Sequence, residues 1–159
     1  MSDNGAESID TANGAESIDT SAVDPQEFAR TIGKTPDDEL RKAMHGPMRD
    51  QIIREIFKRM EEHYRGGSQA AVIHWAITGR ADGGEDVWEA VVAEGTCSTS
   101  PDPTSDPRVT LRTDGVNFLK LVSGNASGPM MFMSGKLKIE GDLMFSAQIQ
   151  SMFTIPDGS

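Results

Sequence analysis

A chain of 159 residues with 36% hydrophobic residues suits one domain, large enough to bury roughly two-thirds of its unfolded surface. Its 25 acids outnumber 15 Lys and Arg, for a formal charge of −10, which argues against nucleic acid, whose binding depends on neutralised phosphates. A single Cys, Cys97, excludes an intrachain disulfide, and no apolar run reaches the roughly 18 residues of a membrane span.

Residues 4–12 (NGAESIDTA) and 13–21 (NGAESIDTS) form a nine-residue tandem repeat, small, polar and acidic. Six acids precede residue 25, and no Lys or Arg precedes Arg30. Such a segment buries too little surface to offset its ordering entropy. It predicts a disordered acidic tail over 1–34, a product of repeat slippage or else a partner-binding arm, and a folded domain over 35–159. An acidic, polar N-terminus is the opposite of a signal peptide, and Pro156-Asp157-Gly158-Ser159 is no receptor-read address. A cytoplasmic protein is the expectation.

From Thr35 the chain signals helix. Thr35 offers an N-cap, Pro36 suits the first helical position, and Asp37 and Asp38 complement the dipole. Leu40, Ala43 and Met44 face inward on a short helix that stops before His45-Gly46-Pro47. A stronger helix over 47–65 carries Met48, Ile52, Ile53, Ile56, Phe57, Met60 and Tyr64 at spacings of three and four and ends at Gly66-Gly67. The period then becomes two. Over 70–78, Ile73, Trp75 and Ile77 share one face and Val72, His74 and Ala76 the other. A turn at 81–84 leads to a partner strand over 86–94 with Trp88, Ala90 and Val92 on one face. Further strands are predicted over 96–100 and 108–113, separated by a loop with Pro101, Pro103 and Pro107. Asp114 then caps a helix ending at Gly124. Residues 129–133 make a helical turn, 136–140 a half-buried strand, and Asp142 caps a last helix bearing Leu143, Met144, Ala147, Ile149 and Met152. The succession predicts an α+β domain with a five-stranded, mostly antiparallel sheet.

No catalytic constellation stands out. His45, His63 and His74 sit on different elements without ligand spacing, and His74 reads as structural. Nothing in the sequence supplies Cys97 with a base. Ser134-Gly135-Lys136 lacks the spacing of a phosphate loop and precedes a strand, not a helix. Neither cofactor nor metal is implied, and the chain is not expected to be an enzyme. What remains is 129–153, which holds five of nine Met and three of six Phe. Met adapts to irregular partners, so the segment reads either as ordinary core or as the wall of an apolar ligand cavity.

The run from Val116-Asn117-Phe118-Leu119 through Gly124, then Pro129, then Phe132-Met133-Ser134-Gly135-Lys136-Leu137-Lys138-Ile139-Glu140-Gly141-Asp142-Leu143-Met144 resembles the sterol carrier protein 2 domain family. The likeness covers about 66–153, is most specific over 116–144, and looks most like stand-alone bacterial, actinobacterial members. It implies a five-stranded sheet covered by helices on one side and enclosing an apolar tunnel. It also implies non-catalytic binding and transfer of a fatty acid, fatty acyl-CoA, phospholipid or sterol/isoprenoid. By the same resemblance the cavity is lined by Trp75, Ile77, Phe118, Leu121, Val122, Phe132, Met144, Phe145, Ile149, Met152 and Phe153. Membrane contact is then transient, without stable insertion. The alternative is an interaction module whose cavity is vestigial and filled, with the acidic tail or helix 47–65 docking a protein partner.

Overall fold

The computed structural model describes residues 25–152. Helices α1 (Pro25–Lys34), α2 (Asp37–His45) and α3 (Arg49–Glu62) lead into strands β1 (Ala71–Thr78), β2 (Asp86–Ala93), β3 (Thr96–Ser100) and β4 (Val109–Asp114). Then come α4 (Gly115–Val122), α5 (Gly128–Met133), strand β5 (Lys138–Gly141), the single turn α6 (Leu143–Ser146) and a 3-10 turn over Gln150–Met152. The expected α+β order and five strands are present.

The strands line up as β3-β2-β1-β4-β5. Only the β1–β4 pairing is parallel; the other three are antiparallel. Period-two patterning sets the faces. Ile73, Trp75 and Ile77 of β1, Trp88, Ala90 and Val92 of β2, and Val109 and Leu111 of β4 are all buried, under α3 and α4. A one-residue slip would turn this set outward, so burial locks the register, in which Trp75 faces Trp88. On the other face the Pro-rich loop 101–107 runs back from β3 to β4. The parallel β1–β4 pair requires such a crossover.

Helix packing follows from side-chain size. On α2, Leu40 and Met44 are buried against α4. A Cβ at Gly115 would lie 2.8 Å from Met44 Cβ, so only glycine allows that approach. Lys120 Nζ joins the same two helices through Asp37 at 2.8 Å.

Three expectations change. The tail was expected to run to residue 34, but 25–34 form α1, with Phe28, Ala29 and Ile32 buried. Asn125 Nδ2 donates to Ala29 O at 2.9 Å and fastens α1 beside the end of α4. The repeat itself lies outside the described residues. Thr35 does not cap α2: Pro36 stands at that position, and the Thr35 hydroxyl donates to Thr31 O at 2.6 Å, closing α1 instead. The last helix is shorter than expected. After α6, the Gln148, Ile149, Ser151 and Met152 amides all bond three residues back, the tighter 3-10 winding. The Ser146 and Ser151 hydroxyls take carbonyls three residues back as well, competing with a regular helix.

Candidate ligand-binding interior

Phe57 is the hub of the space between sheet and helices. Its ring stacks on Trp88 at 4.6 Å and 2° and on Phe118 at 5.6 Å and 26°. Trp75 meets both phenyl rings edge-on, at 6.4 Å from Phe57 and 5.7 Å from Phe118. The helix period on α3, the strand period on β1 and β2, and the cross-strand Trp pair bring these four rings together. Offset and edge-on pairs of this kind add about 0.5–1.5 kcal/mol each beyond their buried area. The Trp75 indole Nε1 is buried and has no hydrogen-bond partner. It is therefore a polar donor inside an otherwise aromatic cluster.

Of the residues expected to line a cavity, Trp75, Ile77, Phe118 and Leu121 are buried in this interior, and Val122 is half-buried against it. Phe145, Ile149 and Met152 are buried too and continue the same core from the C-terminal turns. Met152 O accepts from Arg65 N at 2.8 Å, tying that end to the exit of α3. Phe132 and Met144 are not brought in, with 41% and 79% of their surface exposed. The reason is helical geometry. In each one-turn helix a single residue faces the core, Met131 in α5 and Phe145 in α6, and its neighbours are turned about 100° away. Phe153 lies outside the described residues.

Phe57, Trp88 and Met131 were not among the residues expected here, yet all three are buried in this interior. The signal for Phe57 was present in the three-and-four spacing of α3, and for Trp88 in its place opposite Trp75. Met131 gave none, because three Met and a Phe in succession do not say which one turns inward.

Apart from the Trp75 indole nitrogen, the polar groups lie around this interior rather than in its centre. Arg108 caps the Phe145 ring at 4.2 Å while its Nε holds Asp142 at 2.9 Å, and Asp142 in turn accepts from Phe145 N. Burial pushes the Cys97 thiol up to about 12, with Glu61 adding to the effect, so the thiol stays protonated and unreactive at neutral pH. Among the described residues no group of three His, Cys, Asp or Glu is placed to hold a metal ion.

On the opposite face of the sheet, His74 Nε2 lies 3.1 Å from Glu89 Oε2, a cross-strand pair set by register. Glu89 also accepts from Ser105 N at 2.9 Å and Thr104 N at 3.3 Å, pinning the Pro-rich loop. Burial works to raise the Glu89 carboxyl, but the Ser105 amide, His74 and the Thr104 amide outweigh it and hold it below its usual 4.5. A carboxyl depressed on folding contributes stability above its unfolded pKa, and that contribution is lost as pH falls through the lower folded value. Glu89→Gln is expected to cost about 1–2 kcal/mol at neutral pH and less in acid below pH 4.5. Urea midpoints at neutral and acid pH check this; an equal deficit at both would show that the carboxylate charge is not what holds the loop.

The SCP-2 sterol transfer family matches residues 55–154, which include every strand and the helices after them, and the chain belongs to that family. The "Oleate-induced peroxisomal protein POX18" of Candida maltosa is 37% identical over 51 residues, 32% of this chain and 39% of the relative. A "Fatty acid-binding protein" of Yarrowia lipolytica is 40% identical over 53 residues, 33% of this chain and 40% of the relative. The chain thus spans about two-fifths of the length of these curated relatives. Among solved structures, the "UbiJ-SCP2 Ubiquinone synthesis protein" superposes with a TM-score of 0.53 at 13% identity, over 67% of this chain and 96% of that one. Sterol Carrier Protein 2 Like 2 from Aedes aegypti gives 0.50 at 18%, over 65% and 94%. These two likenesses establish the fold.

Proposed function

We propose that this protein binds, and carries between sites, a lipid with a long apolar chain, held between the inner face of the sheet, α3, α4 and the C-terminal turns. The observation that carries this reading is the family match over 55–154. It takes in the whole interior just described, lined by apolar and aromatic groups. The "Fatty acid-binding protein" name of one relative makes a fatty acid or its thioester the first ligand to try. No chemistry on the lipid is needed. Each buried methylene contributes about 0.8 kcal/mol, so a fatty-acid chain gains roughly 10 kcal/mol gross, less several for immobilisation. The balance reaches micromolar affinity without a charged anchor.

One observation favours the alternative, an accessory module with a filled interior. Phe57 and Phe118 are fully buried, and the rings around Phe57 are in stacking contact.

The chain's two Trp, Trp75 and Trp88, both sit on the inner face and supply the test. Titration with a conjugated polyene fatty acid is expected to quench their emission by energy transfer at micromolar ligand. Organic extraction of the purified protein is expected to release a lipid. No quenching together with an empty extract leaves the filled module as the function.

A further inference from the structure

We infer that Trp75 is a specificity-determining residue of the lipid site, its indole N–H donating to a carbonyl oxygen carried within the ligand: an ester, a thioester or a ketone. The inference rests on the lipid-carrier reading and adds a chemical class to it. Trp75 sits mid-strand in β1, between Trp88 of β2 and Leu111 of β4, on the inner face and only 4% exposed. Its Nε1 is buried without a hydrogen-bond partner. A buried Trp N–H ordinarily finds one. Phenylalanine at this position would offer similar edge-on contacts with Phe57 and Phe118 without an unmet donor.

Arg49, Glu89, Thr113 and Ser123 are the buried polar or charged residues besides it among those described, and each is already engaged. Arg49 holds Asp86 and three carbonyls, and Glu89 holds the Pro-rich loop on the far face of the sheet. The Thr113 hydroxyl donates to Lys136 O and the Ser123 hydroxyl to Lys120 O. Chemistry then narrows what the Trp75 donor takes. An ionised carboxylate brought to Nε1 would give up its hydration for one hydrogen bond, with the one buried cation, Arg49, committed elsewhere. A hydroxyl could accept, but it would leave its own proton unmet in the same apolar setting. A carbonyl accepts and donates nothing, which matches a lone donor. Its arrival removes the penalty of an unsatisfied N–H, a gain that a plain hydrocarbon cannot supply.

The test adds methyl palmitate, octadecane of matching length, or palmitate at neutral pH to the isotope-labelled full chain and follows the indole N–H resonances by NMR. The two Trp give two such signals, and W75F assigns them by the one it lacks. Methyl palmitate is expected to move the Trp75 signal downfield, whereas octadecane and palmitate are not. Affinities come from displacement of the fluorescent polyene fatty acid. The preference for methyl palmitate over octadecane is expected to fall about threefold to tenfold in W75F, the worth of one neutral hydrogen bond. Taking the ratio of the two ligands cancels the effect of the smaller ring on the space available. Should W75F fail to fold, the parent's Trp75 signal, assigned through its contact with Phe118, decides alone. A signal that methyl palmitate leaves in place, as an N–H resting on a phenyl face would give, overturns the inference. So does an equal downfield move with octadecane or palmitate, or an unchanged preference in W75F. In each of those cases polyene binding by the parent keeps the lipid reading. Absence of polyene binding removes that reading, and this inference with it.

Discussion

Arg49→Met is expected to cost about 3–5 kcal/mol of folding stability, the scale of a buried charge network losing one member. Arg49 opens α3 yet is buried, and its guanidinium makes four hydrogen bonds. Nε donates to Asp86 Oδ2 at 2.9 Å, Nη1 to Met44 O at 3.0 Å and Thr78 O at 3.1 Å, and Nη2 to Ile77 O at 2.6 Å. One side chain thus joins the end of α2, the start of α3, the end of β1 and the start of β2. Met fills similar volume but takes the guanidinium donor away from three carbonyls. Asp86 keeps a second partner, Arg80 at 3.4 Å, so most of the loss comes from the carbonyls. A double-mutant cycle with Asp86→Asn should therefore show coupling of no more than about 1 kcal/mol. Lys in place of Arg49 should recover little, because one ammonium cannot span acceptors arranged for a planar fork. Urea denaturation of the three variants measures all of this. A deficit under about 1 kcal/mol for Arg49→Met would mean that water takes over the carbonyls.

That network was not legible in the sequence, and the reason is physical. An Arg in the first turn of an amphipathic helix looks like a solvated charge, and its burial depends on where β1 ends. The strands and their inward faces were legible because period two and two turn signals act locally: Trp75 and Trp88 fell on the expected face. Helix α1 was hidden by its neighbour. Phe28 and Ile32 stand four apart, a helical spacing, but they follow directly on the acidic repeat and were absorbed into it. In the C-terminal segment, strand β5 and the Asp142 cap were readable from alternation and capping chemistry. The orientation of each Met and Phe was not, since in a one-turn helix the residue that turns inward is chosen by tertiary packing. That is why Phe145 and Met152 fell inside while Phe132 and Met144 fell outside.

Phe57→Ala separates the two readings of the interior. Removing a fully buried ring that stacks on Trp88 and Phe118 is expected to cost about 3–5 kcal/mol, a fall of roughly 10–20 °C in Tm. What happens next depends on whether the interior accepts a ligand. A fatty acid at a hundredfold excess over its Kd adds about 2.7 kcal/mol to any protein whose native state alone binds it. In a lipid carrier the space left by the ring adjoins the acyl chain, so the variant should gain at least as much as the parent and recover much of its lost Tm. In a filled module the ligand has no site in the parent, and neither protein shifts. A third pattern, with the variant rescued and the parent indifferent, would show that Phe57 itself occupies the acyl site. The hub ring would then be the group that has to move before lipid can enter, and its stacking on Trp88 would make Trp emission the direct reporter of that movement.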